Sequence, residues 1–234
     1  MCNIKIGIDL SLSSTSVYLI INHKEYLLCY LNINKPSKWS KKLECIENIK
    51  INRIKYDEYS TSYSDSEIQK LNKYNDISDI IINDIKNIVG IEKCIINIEG
   101  YSYLSKSSSI NDIIALSTLV RLKLLNNLNC DINIISPMTL KLETSKYSYG
   151  ITEIKKYSKK TNKQIKSDFK SINNDGVVGG KFTKFEMYKA IIDKNDDNII
   201  LDFLNENIEI LKLKKIPSPI DDINDSILLT KINI

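Results

Sequence analysis

Residues 4–21 read Ile-Lys-Ile-Gly-Ile-Asp-Leu-Ser-Leu-Ser-Ser-Thr-Ser-Val-Tyr-Leu-Ile-Ile. The stretch is a short apolar strand, 4–10, with the carboxylate of Asp9 near its end, then a Ser/Thr turn, then a second strand at 15–21. A third strand is expected at 26–33, with His23 and Lys24 as the hairpin turn. Three consecutive strands therefore open the chain.

Downstream the period changes. Ile68, Leu71, Ile77, Ile81, Ile85 and Ile88 recur at helical spacing and predict a helix over 66–88. A buried strand at 93–98 runs directly into Glu99 and Gly100, a long apolar helix follows at 109–128, and a fifth strand is expected at 131–135. Further helices are predicted at 183–193, about 197–212 and 220–231. Strands first, then strand and helix in alternation, indicate an α/β sheet with helices on its faces. Residues 34–65 read as irregular with one helix near 40–49, and 143–179 as a polar, Lys-rich loop. Both are expected to be insertions in a single 1–234 domain.

Bulk properties are those of an ordinary globular protein: 42% hydrophobic and 26% charged residues, with few glycines and prolines. The 33 basic residues against 29 acidic ones give a net charge of +4, which permits nucleic-acid binding without demanding it. Heavy use of Ile, Asn and Lys fits an AT-rich genome, so neither Asn nor Lys is by itself a signal of function. Five cysteines without a C-x-x-C pair point to a reducing compartment and away from structural zinc. No apolar run has the length of a membrane span, and strand-like sequence begins too early to leave room for a signal peptide. A soluble intracellular protein is expected.

Four carboxylates stand out by position. Asp9 and Glu99 end predicted strands, and Asp222 and Asp225 lie one helical turn apart on one face of the last helix. Singly, each has an ordinary structural explanation: strand ends meet solvent, and Asp221 or Asp222 suits a helix N-terminus. Together they come from three distant parts of the chain. Such a set would repel itself unless a cation compensated it.

The motifs resemble those of RuvC-like Holliday-junction resolvases, of the type found in phages and large DNA viruses, within the RNase H-like superfamily. Residues 6–20 resemble the opening Gly-Ile-Asp strand and Ser/Thr turn. Residues 96–103 (Ile-Asn-Ile-Glu-Gly-Tyr-Ser-Tyr) resemble the second motif, and residues 221–229 (Asp-Asp-Ile-Asn-Asp-Ser-Ile-Leu-Leu) the closing Asp-x-x-Asp helix. The resemblance implies an RNase H-like fold with a mixed five-stranded sheet flanked by helices. It implies a metal-dependent endonuclease that nicks four-way DNA junctions in pairs, working as a homodimer.

Asp9, Glu99, Asp222 and Asp225 would then hold Mg²⁺, with Mn²⁺ able to substitute. Lys141 and Lys184 match family lysines near the scissile phosphate, with Lys181 a rival at the second position. Each of these has the alternative of being a solvated surface lysine. Tyr101 and Tyr103 are candidates for stacking on bases. The sequence departs from the family in lacking a histidine near the last carboxylate, and in carrying Ser226 where alanine is usual; His23 has no expected catalytic part. The helix at 109–128, apolar on more than one stripe, is the expected dimer interface. Other readings of the same motifs are an ATP-binding fold of the sugar-kinase and actin group, a non-cutting branched-DNA binder, and a nuclease for flaps or RNA–DNA hybrids.

Overall fold

In a computed structural model, β1 (Ile4–Asp9), β2 (Ser14–Ile21) and β3 (Lys24–Asn32) form the antiparallel meander expected from the opening sequence. The structure describes residues 4–34, 37–55, 58–101, 109–149, 151–157, 164–172, 182–194 and 198–232. The hairpin turn is Asn22–His23, one residue earlier than expected. Both residues have positive φ (49° and 68°), the backbone a two-residue primed turn requires.

Next come α1 (Lys38–Leu43) and β4 (Ile49–Ile54), then α2 (Tyr63–Val89), β5 (Cys94–Glu99), α3 (Ile110–Asn127) and β6 (Cys130–Ile135). The sheet order is β4-β3-β2-β1-β5-β6, with β2 alone antiparallel to its neighbours. Six strands replace the expected five. The sixth, β4, lies where sequence patterning indicated irregular chain.

The sequence of β4, Ile-Lys-Ile-Asn-Arg-Ile, sends Ile49 and Ile51 to one face, while its polar residues find a distant partner. Asp84 of α2 accepts from Lys50 (2.7 Å), Asn52 (3.0 Å) and the Tyr30 hydroxyl (3.0 Å). A six-residue strand whose polar side is satisfied 32 and 34 residues away leaves little local trace.

The rest of the chain is α4 (Pro137–Ser148), a hairpin of β7 (Ile151–Tyr157) and β8 (Gln164–Ser171), α5 (Lys184–Lys194), α6 (Leu201–Glu206) and α7 (Ile220–Lys231). The segment expected to be a loop after 143 thus holds the end of α4 and a separate two-stranded sheet. The single helix expected at 197–212 is two, α6 and a 3₁₀ turn at Ile208–Lys212. Asn207 divides them. Its side-chain amide donates to the Phe203 carbonyl (2.7 Å) and its amide oxygen accepts from Lys42 (2.6 Å), so a buried side chain competes with helical continuation.

Strand alternation assigns the two faces. Ile4, Ile6 and Ile8 of β1 point toward α2 and α3, joined by Val17, Leu19, Ile96 and Ile98. Gly7 and Asp9 point to the other face, which α7 crosses. Helix α7 is buried on nearly all sides, between the sheet and helices α4 and α5.

Gly7 makes this crossing possible. A Cβ built there would lie 1.9 Å from the Ser226 carbonyl oxygen. Asn97 of β5 secures the other end, donating to the Leu229 carbonyl (2.6 Å), one of the last carbonyls of α7, and accepting from Asn133 (2.9 Å). Ser16 and Ser226 share a buried hydrogen bond of 2.9 Å, so the serine at 226 is matched by one on β2.

Gly7→Ala is therefore expected to lift α7 from the sheet and cost roughly 3 kcal/mol. Urea denaturation of the variant beside the wild type checks this, and an unchanged midpoint would contradict the close packing at Gly7.

Candidate metal centre

Strands β1 and β5 run parallel and side by side, so Asp9 and Glu99 emerge together at their C-terminal ends. In open α/β sheets this is the edge at which ligands bind. Helix α7, pressed onto β1 at Gly7, brings in Asp225. One carboxylate oxygen from each of Asp9, Glu99 and Asp225 lies within 4.8 Å of the others. Asp225 is fully buried and Asp9 is 6% exposed, while Glu99 is half-buried and opens the group to solvent.

The electrostatics follow from that packing. Burial holds the Asp9 carboxyl well above the usual carboxylate range, reinforced by Glu99 and Asp222 and only partly offset by Lys184. Asp222, one turn before Asp225, is pushed up to about 8, chiefly by burial and then by Asp221. Ser14, Lys184 and Ser218 act in the opposite direction, and the Ser218 hydroxyl donates to Asp222 Oδ2 at 3.3 Å.

Lys184 forms an ion pair with Asp225 Oδ2. The other oxygen, Asp225 Oδ1, is buried and has no hydrogen-bond partner among the described residues. One ammonium thus faces several carboxylates, and a buried acceptor is left over. An all-oxygen donor set with surplus negative charge suits a hard divalent cation such as Mg²⁺ or Mn²⁺.

Of the four carboxylates singled out in the sequence, three meet directly, and Asp222 stands beside them, within electrostatic reach of Asp9. Lys184 is at the cluster. Lys141 lies half-buried on α4, and among the described residues no hydrogen bond or ion pair joins it to the carboxylates. The Tyr101 ring lies under the Arg121 guanidinium, 4.6 Å from ring centroid to cation, so one face is already covered. Tyr103 and Lys181 lie outside the described residues. His23 sits in the β2–β3 turn, at the opposite end of β2 from Ser14 and Ser16.

Several contributors escaped sequence reasoning. Gly7, Asn97 and Ser16 act through contacts more than 100 residues away, which no local pattern reveals. Glu186 left a signal: Thr183-Lys-Phe-Glu186 has capping-box spacing, and the Thr183 amide donates to the buried Glu186 carboxylate. This box fixes the start of α5, and hence Lys184. The Ser/Thr turn after Asp9 is braced by its own side chains, with Ser11 Oγ accepting from the Ser14 amide (3.0 Å) and Thr15 Oγ1 donating to the Ser11 carbonyl (3.0 Å).

No sequence-family model and no curated protein matches the chain. Among solved structures it is similar to Thermus thermophilus RuvC, at 10% identity and a TM-score of 0.44, over 97% of this chain and 90% of that one. It is similar to the yeast mitochondrial Holliday junction resolvase Ydc2 at 12% identity and a TM-score of 0.46, over 97% of this chain and 75% of that one. The human cytomegalovirus terminase nuclease domain matches at 8% identity and a TM-score of 0.33, over 98% of this chain and 82% of that one. The α/β class itself rests on this chain's own mixed six-stranded sheet and its flanking helices. Among the described residues no helix is long and apolar enough to cross a membrane.

The raised carboxylates set the pH dependence. Asp9 and Asp222 bind protons more tightly folded than unfolded, so their favourable contribution is complete below the ordinary carboxylate pKa of about 4. For Asp222 it is lost as pH rises toward about 8. In EDTA, the urea midpoint should fall from pH 5 to pH 8, and Asp222→Asn should flatten the slope. Added Mg²⁺ should raise the midpoint more at pH 8 than at pH 5. A flat EDTA profile would contradict the buried, proton-competing cluster.

Proposed function

We propose that this chain is a divalent-metal-dependent DNA endonuclease that resolves four-way junctions by paired nicks. The observation that carries the reading is the meeting of Asp9, Glu99 and Asp225 from β1, β5 and α7, with one buried oxygen unpartnered. Asp222 completes the ligand set in this reading.

Two divalent ions, when bound, would supply an activated water and neutralise the 3′ oxygen that leaves as the phosphodiester is hydrolysed. The chain's own residues do the remaining work. Burial keeps bulk water from Asp9 and Asp225, and Glu99, at the open side, faces incoming DNA. Lys184, 40% exposed at its side chain beside Asp225, would hold the scissile phosphate. Lys141 would contribute on the α4 side, and Lys181 and Tyr103 along the DNA path. Tyr101, covered on one face by Arg121, has a single face left for a base.

The junction as substrate follows the three motifs that resemble the phage and viral resolvases. Of the similar solved structures, one is a yeast mitochondrial Holliday junction resolvase and another is T. thermophilus RuvC in complex with a Holliday junction substrate. We read the chain as one nuclease domain acting as a homodimer in the reducing interior of a cell. Two-fold symmetry matches a four-way junction. Ile114, Leu122 and Leu125 on the outer face of α3, 38%, 53% and 60% exposed, give the dimer an apolar surface.

The test is cleavage of a labelled four-way junction beside linear duplex, flap and RNA–DNA hybrid, in Mg²⁺ or Mn²⁺. Symmetric paired nicks on the junction are expected, with Glu99→Gln slower by more than about 100-fold while junction binding survives. Cutting only flaps or hybrids would replace the substrate, and binding without cutting would favour a recognition module. Junction affinity should also fall steeply between 50 and 200 mM salt, by about 10³-fold or more if six phosphates are contacted. A salt-independent affinity would contradict lysine–phosphate binding.

A further inference from the structure

Arginine is scarce in this chain: Arg53 and Arg121 are its only two, against 31 lysines. Arg53 pairs with Glu44 at the surface. Arg121 is half-buried on α3, and its one guanidinium meets three features of the segment leaving β5. Nη1 donates to the Tyr101 hydroxyl at 3.2 Å, the cation lies 4.6 Å from the Tyr101 ring centroid, and Nη2 reaches the Glu99 carbonyl at 3.5 Å.

The same segment is fixed from its other side. The Gly100 amide donates to the Ile135 carbonyl of β6 at 2.7 Å, and a Cβ at Gly100 would sit 3.3 Å from Ile134 and Ile135. Residues 99–101 are thus gripped between β6 and α3. Glu99 is the carboxylate in most need of such support: Asp9 and Asp225 are locked by burial, whereas Glu99 is half-exposed at a strand end.

We propose that Arg121 is a positioning residue, whose planar fork clamps the Glu99–Tyr101 segment so that the Glu99 carboxylate meets the other two. Lysine cannot replace it, because a point charge does not combine hydrogen bonds to a hydroxyl and a carbonyl with stacking on a ring. The inference rests on the metal-dependent reading above, and it assigns Tyr101 to the clamp.

Mn²⁺ binding, followed by the loss of the free-ion resonance signal, separates this role from the alternatives. Arg121→Ala should weaken Mn²⁺ affinity by about 10–100-fold, the range for residues that support a ligand. Arg121→Lys should behave like the alanine variant. In the Glu99→Gln background the same change should have almost no further effect, and in the Glu99-intact protein kcat should fall with KM for the junction unchanged.

Unaltered Mn²⁺ affinity in a folded Arg121→Ala protein would overturn the proposal. So would full rescue by lysine, an equal loss with or without Glu99, or a rise in KM alone, which would make Arg121 a phosphate contact. If alanine unfolds the chain, Tyr101→Phe, which removes one of the two fork bonds, should still lower Mn²⁺ affinity, and no change would overturn the clamp. A wild-type protein that neither binds Mn²⁺ nor cuts DNA would instead remove the reading beneath it.

Discussion

The contact on which the site depends is the crossing of α7 over β1 at Gly7. A helix packed on a sheet is normally held away from it by the side chains between them. Here one strand residue has none, and the helix backbone moves into that space. The approach has two consequences. Asp225 is carried to the strand ends where Asp9 and Glu99 emerge, and it is buried there completely. Carboxylates gathered at such a place are costly unless protonated or paired with a cation. The raised Asp9 and Asp222 and the Lys184–Asp225 ion pair are the protein's own responses to that cost.

The surrounding elements stabilise the same crossing. Asn97 and Asn133 tie β6, β5 and α7 together by side-chain hydrogen bonds, and Ser16 and Ser226 do so between β2 and the helix. These are polar groups in a dry interior, each costly to leave unpaired, so they specify one seating of the helix. Helices α4 and α5 close the outer side of α7. The capping box at Thr183 and Glu186 starts α5 so that its first residue, Lys184, falls beside Asp225. The cluster is built on the strands β1 and β5 and the helices α5 and α7.

Much of this was legible because buried strands and amphipathic helices carry their period in the sequence. The three opening strands, α2, β5, α3, β6, α5 and α7 are all marked by apolar spacing, and the carboxylates interrupt it where a core residue would otherwise stand. What was not legible has a common cause. Strand β4 is short and half polar, and Asp84, 34 residues on from Lys50 and 32 from Asn52, makes its polar face tolerable. Asn207 breaks α6 through a bond to Lys42, which is 165 residues away.

The sequence by itself determined the α/β class, the strand-end positions of Asp9 and Glu99 and the one-turn spacing of Asp222 and Asp225. Local periodicity and strand-terminal placement are properties of a few neighbouring residues. Only the tertiary structure decided that Asp225, rather than Asp222, joins Asp9 and Glu99 within 4.8 Å. It also decided that Lys184 rather than Lys141 reaches them, and that Tyr101 lies beneath Arg121. Those outcomes depend on the height and rotation of α7 over the sheet and of α3 against β5. Both are fixed by contacts between residues far apart in the chain, and a missing side chain at Gly7 has no meaning until the helix that fills its place is known.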